Sequence, residues 1–191
     1  YTLYNGKHRP YLEVIFFNKI NSKTSSKSFS LVDSGADSIV IPFSLGKALD
    51  LQPPEKDEYK KAGGIGGSIS LIVRECTMYI LSSDKKNLYG FDEDVNWAYP
   101  DLEIQKDIDK LLNDHKEISS LTEEAKEGTR LRAYLEQQQK EKAFQITMIM
   151  NKFETDVLLG RPFFNNFHFL QILQKNKEKE NYCSLNFRIN E

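Results

Sequence analysis

Leu31-Val32-Asp33-Ser34-Gly35-Ala36-Asp37-Ser38-Ile39-Val40 is the stretch that decides how the rest of the chain is read. Phe29 to Val32 leads in and Ile39 to Ile41 leads out, both apolar and rich in strand formers, so Asp33-Ser34-Gly35 is expected on a tight turn between two strands. Asp, Ser and Gly are ordinary turn residues, and the triplet alone is a weak signal. A carboxylate held at such a turn is aimed in a fixed direction, and the segments that follow give it meaning.

Further strand-like runs lie on either side. Tyr11 to Phe17 and Ile69 to Leu81 are β-branched and aromatic, bounded by Gly, Pro, Asn and Ser. Ahead of the second run stands Lys61-Ala62-Gly63-Gly64-Ile65-Gly66-Gly67-Ser68. A phosphate-binding reading fails: G-x-x-x-x-G-K-[ST] is absent, and Ile69 stands where G-x-G-x-x-G needs its last glycine. The glycines fit a hairpin tip that must flex and let backbone approach a ligand closely.

From about residue 84 to 142 the pattern turns helical. Ile104, Ile108, Leu111, Leu112 and His115 fall at helical spacing over Asp101 to Glu117, with Pro100 suited to a first helical position. Ser120-Leu121-Thr122-Glu123 has the form of a capping box, so a second helix is expected there, its stripe running through Leu121, Ala125, Leu131 and Leu135 with Gly128 as a weak point. Residues 84–142 are therefore expected as a helical hairpin inserted into a single domain spanning 1–191. It either packs its stripe on the sheet, offers a surface to a partner, or covers the active site. After Ala143, Phe144, Ile146, Met148 and Met150 alternate and predict a strand. Val157-Leu158-Leu159-Gly160-Arg161 predicts another, Pro162 a short helix, and Phe169 to Leu173 with Tyr182 to Ile189 a closing hairpin.

Composition limits the function classes. With 191 residues, 39% hydrophobic and 12% aromatic, the chain can bury a good core, and a net charge of −2 gives no electrostatic case for nucleic acid or an anionic membrane. Cys76 and Cys183 are far apart, and His8, His115 and His168 are scattered without ligand spacing, so neither metal nor cofactor is expected. No apolar run approaches the roughly 18 residues of a membrane span. A soluble domain in a cytoplasmic setting is the expectation, with a signal or anchor ahead of Tyr1 left open.

Taken in order, Asp33-Ser34-Gly35, the Gly63 to Gly67 tip and Leu158-Leu159-Gly160-Arg161 resemble the motifs of the retropepsin family, the retroviral-type single-lobe aspartic proteases. The resemblance anchors about 110 residues and does not cover the helical insertion in detail. It implies a mostly β, closed-barrel acid-protease subunit carrying an inserted helical hairpin, and an aspartic endopeptidase activity. Asp33 would be the catalytic residue. Ser34, Gly35, Ala36, Asp37 and Arg161 would support it, with Asp37 paired to Arg161. Ala62, Gly63, Gly64, Ile65, Gly66 and Gly67 would form the flap, and Ser38, Val40 and Leu158 would contact an extended peptide substrate.

Hydrolysis without a metal or covalent intermediate needs one carboxylate to activate water while a second, protonated one donates to the carbonyl oxygen. Aspartic proteases are the general example of two carboxyls sharing one proton. This chain has no second Asp-[Ser/Thr]-Gly, so the mate of Asp33 is expected from another copy across a two-fold axis. Ala36 brings no hydroxyl toward that pair, which points to activity at mildly acidic to near-neutral pH. A non-catalytic peptide-binding or scaffolding protein of the same fold is the alternative.

Overall fold

The computed structural model describes residues 2–4, 7–55, 58–64, 67–81, 86–177 and 180–189. In chain order the elements are β1 (Thr2–Tyr4), β2 (Lys7–Arg9), β3 (Tyr11–Asn18), β4 (Lys23–Thr24), β5 (Ser28–Val32), β6 (Ile39–Ile41), α1 (Phe43–Ala48), β7 (Lys60–Gly64), β8 (Gly67–Leu81) and β9 (Leu88–Ala98). They continue with α2 (Leu102–Glu124), α3 (Arg130–Met150), β10 (Val157–Leu159), α4 (Arg161–Phe164), β11 (Phe167–Lys177) and β12 (Glu180–Ile189). The chain divides into two compact units, one of Tyr1–Glu58, Ile72–Ala98 and Thr155–Glu191, the other of Tyr59–Leu71 and Tyr99–Glu154.

The first unit is built on a closed six-stranded β-barrel. Its strand order is β3-β5-β10-β6-β9-β8, and an antiparallel β3–β8 pairing, from Val14↔Ile80 to Phe17↔Thr77, closes the ring. β10 runs parallel to β5 and antiparallel to β6, so the short strand before Gly160 is wedged between the two strands that flank Asp33. Period-two alternation sends Val14 and Phe16, Ser30 and Val32, Ile39 and Ile41, Val95 and Trp97, and Val157 and Leu159 inward, all buried. Trp97 stacks on Phe43 of α1 and donates from Nε1 to the Phe43 carbonyl (3.1 Å). Gly46 lets the helix lie against the indole, since a Cβ there would sit 2.2 Å from the ring. Asn18 is buried but satisfied: its Nδ2 donates to the Leu49 carbonyl (3.1 Å) and its Oδ1 accepts from Ile20 N–H (3.0 Å). β1–β2 and β11–β12 are antiparallel hairpins of the same unit, the latter being the expected closing hairpin.

The second unit joins the glycine-bearing hairpin to the helices. β7 pairs with β8 through Lys60↔Leu71, Ala62↔Ile69 and Gly64↔Gly67. Ser70 Oγ donates to the Tyr99 carbonyl (2.9 Å), Tyr99 N–H returns to the Ser70 carbonyl (3.1 Å), and Gln105 Nε2 of α2 donates to the Tyr59 hydroxyl (2.8 Å). α2 and α3 are bridged by Lys142 to Asp114 (2.8 Å) and by Gln139 Nε2 to Ser119 Oγ (3.2 Å).

Four expectations for residues 84–150 change. Residues 88–98 form strand β9, so the helices begin later than expected; the acidic run Asp92-Glu93-Asp94 hid the alternation that buries Phe91, Val95 and Trp97. Asp101, not Pro100, starts α2, its side chain accepting from Ile104 N–H (3.1 Å). Ser120 to Glu123 is helix interior, because no breaker precedes it, and Thr122 Oγ1 donates back to the Ile118 carbonyl (2.7 Å). The helix breaks at Ala125, which is extended (ψ 133°), the turn passes through Gly128 (φ 77°), and Thr129 then caps α3 by accepting from Arg132 N–H (3.3 Å). Phe144 to Met150 continues α3 rather than forming a strand. No Gly or Pro interrupts 130–150, Ala, Leu, Gln, Glu and Lys favour helix, and the half-buried Ile146, Ile149 and Met150 stand at i, i+3, i+4.

Candidate active site

Asp33 stands immediately beyond β5, where three segments lock its backbone. Its N–H donates to the Leu159 carbonyl of β10 (3.1 Å), and its own carbonyl accepts from Ala36 N–H (3.2 Å), turning the chain toward β6. Within the turn Gly35 N–H donates to Asp33 Oδ1 (2.9 Å), which fixes the direction of the carboxylate. Gly35 suits that approach, since a Cβ there would meet Oδ1 at 3.3 Å. Among the residues whose side chains are described, no other group donates to this carboxylate and no cation pairs with it.

The same lock explains the Leu-Leu-Gly-Arg stretch. Arg161 N–H donates to the Ala36 carbonyl (2.8 Å), binding the start of α4 to the Asp33 turn. Any side chain at Gly160 would collide with this arrangement: a Cβ would lie 2.2 Å from the Ser38 carbonyl oxygen and 2.6 Å from that of Ala36. Asp37 and Arg161 are in contact, Nη2 to Oδ1. Both are exposed within the single chain, and an exposed ion pair adds little stability.

Around Asp33 the outer face of the barrel wall forms a floor. Residues in register across neighbouring strands point to the same side, and the pairings Asn96↔Val40, Val40↔Leu158, Leu158↔Leu31 and Leu31↔Tyr11 lay these five half-buried residues in one row. Two residues on from Leu31, just past the end of β5, comes Asp33 itself, also half-buried. The arrangement is a carboxylate with one oxygen held by a backbone donor, at the edge of a largely apolar strip. Such a group can take a proton from water, or share one with a second carboxyl brought against it.

Asp33, Ser34, Gly35, Ala36, Asp37, Ser38, Val40, Leu158 and Arg161 thus lie on adjoining segments of the first unit. Ala62, Gly63, Gly64 and Gly67 belong to the β7–β8 hairpin of the second. Ile65 and Gly66 lie outside the described residues. Leu31 and Tyr11 join the floor although the motifs did not name them. The signal for Leu31 was present in Phe29-Ser30-Leu31-Val32-Asp33, where period two puts 29, 31 and 33 on one face; Tyr11 depends on a pairing between strands that no local pattern fixes. No protein-family model matches this sequence, and no curated protein matches it significantly.

Proposed function

We propose that this chain is the subunit of a homodimeric aspartic endopeptidase of the retropepsin type. The observation that carries the reading is the Asp33 carboxylate, held by Gly35 N–H beside the Leu31, Val40 and Leu158 strip, with Gly160 shaped for the contact that locks the turn. In the dimer, two Asp33 carboxyls share one proton. The ionised one takes a proton from water as its oxygen attacks the peptide carbonyl carbon, and the protonated one donates to the carbonyl oxygen, giving a tetrahedral gem-diol. Return of a proton to the amide nitrogen, with breakage of the C–N bond, releases an acid and an amine and restores the shared proton. The apolar strip supports this by keeping bulk water away from the reacting atoms and by seating the substrate extended. The hairpin of the second unit carries the glycine tip that the resemblance assigns to the flap.

The test is Asp33→Asn beside wild type on a peptide library, with and without pepstatin. Wild type is expected to cleave and to be inhibited, and the variant to lose at least about a hundredfold in rate. Pepstatin-insensitive turnover that survives the substitution overturns the reading.

A further inference from the structure

One strand row beyond Leu31 the floor changes character. Phe29 follows on the same face of β5 and is 60% exposed. Beside it, Asp156 immediately precedes Val157, whose partner is Ser30, so Asp156 falls level with Phe29 on the exposed side of the sheet. Tyr11, in register with Leu31 on β3, reaches across β5 and donates its hydroxyl to Asp156 Oδ2 (3.4 Å). A carboxylate therefore sits at the rim of the strip, level in register with an exposed aromatic residue and with a phenol holding one of its oxygens.

The charges around it are unequal. Glu13, opposite Phe29 on β3, is already neutralised by Lys27 (3.1 Å). Among the residues whose side chains are described, Asp156 meets no cationic partner, and the hydrogen bond it accepts comes from the neutral Tyr11 hydroxyl. An exposed carboxylate alone attracts a cation only feebly. An aromatic face that removes water from the cation and adds its own quadrupole attraction makes the same charge selective.

We propose that Tyr11, Phe29 and Asp156 receive a cationic side chain, Lys or Arg, of the peptide lying on the floor. This rests on the reading of the floor as a peptide site and names the substrate class that it takes. Phe29 and Asp33 are four residues apart on the sequence, about 13 Å in extended chain, so the basic side chain binds within that reach of Asp33. Tyr11 positions Asp156; Asp156 and Phe29 touch the cation.

The test measures binding to the full chain carrying Asp33→Asn, so that cleavage does not intrude. Fluorescent octapeptides in which a single Arg, Lys, Gln or Glu is moved through each position are titrated by anisotropy at low salt. At one position Arg or Lys is expected to bind about five- to twentyfold tighter than Gln. Adding Asp156→Asn should remove most of that preference, Phe29→Ala part of it, and Asp156→Lys should turn it toward Glu. Thermal melts matching the parent show that these variants remain folded. No binding, no position favouring a cation, or a preference that persists in Asp156→Asn overturns the proposal. If the preference is found but wild type cleaves none of these peptides, the protease reading fails alone. If wild type cleaves them without favouring Arg or Lys, the receptor fails alone.

Discussion

At the residue scale, the site depends on a glycine as much as on its carboxylate. Gly160 is where the β10 end and the Asp33 turn touch through backbone atoms, which cannot move aside as a side chain would. Gly160→Ala should therefore cost about 3 kcal/mol, read as a lowered denaturation midpoint, and should reduce activity further by displacing the turn. Glu93 shows the opposite kind of strain. Burial holds its carboxyl above the ordinary glutamate range, with the neighbouring Asp94 and Asp92 charges adding to the rise against an Asn166 hydrogen bond that lowers it. Because the folded value exceeds the unfolded one, its ionisation opposes folding: the cost is absent below the unfolded value and appears as pH rises through the folded one. Glu93→Gln should accordingly raise the melting temperature near pH 7 and leave it unchanged at about pH 3.5. Cys76 is 1% exposed, and burial pushes its thiol up to about 12. In a Cys183→Ser background, native protein should react with a thiol reagent at pH 8 at least about a hundredfold more slowly than unfolded protein.

At the element scale, the glycine hairpin and the helices are tied by the Gln105–Tyr59 and Ser70–Tyr99 hydrogen bonds. A Gln105→Ala change should loosen the hairpin base, seen as faster amide exchange over 60–71 with little change in the barrel strands; equal acceleration in both would contradict this. The elements also show where local pattern is decisive and where it is not. Strands with clean alternation and punctuated ends, such as 11–18, 28–32 and 157–159, were legible because inward and outward residues differ in kind. Phe144 to Met150 was not, because spacing by two includes spacing by four, and the helix was decided by uninterrupted propagation from Thr129. β9 was obscured by three consecutive acids. For the site, the turn carrying Asp33 was readable from its flanking strands. The row from Asn96 to Tyr11 arises from register between distant segments and emerges only once the barrel closes.

At the scale of the whole molecule, the account hinges on symmetry. One chain brings one Asp33 to the floor, and among the described residues no hydrogen bond joins it to a second carboxyl. On the proposed homodimeric reading, activity should follow dimer concentration, falling on dilution more steeply than in proportion to protein. The most direct measurement mixes wild type with Asp33→Asn in equal amounts, lets subunits exchange, and compares peptide hydrolysis with wild type alone at the same total concentration. With random pairing only wild-type homodimers keep two Asp33 carboxyls, so the account expects activity to drop to about one quarter. A drop to only one half, the simple dilution of independently active chains, would contradict it.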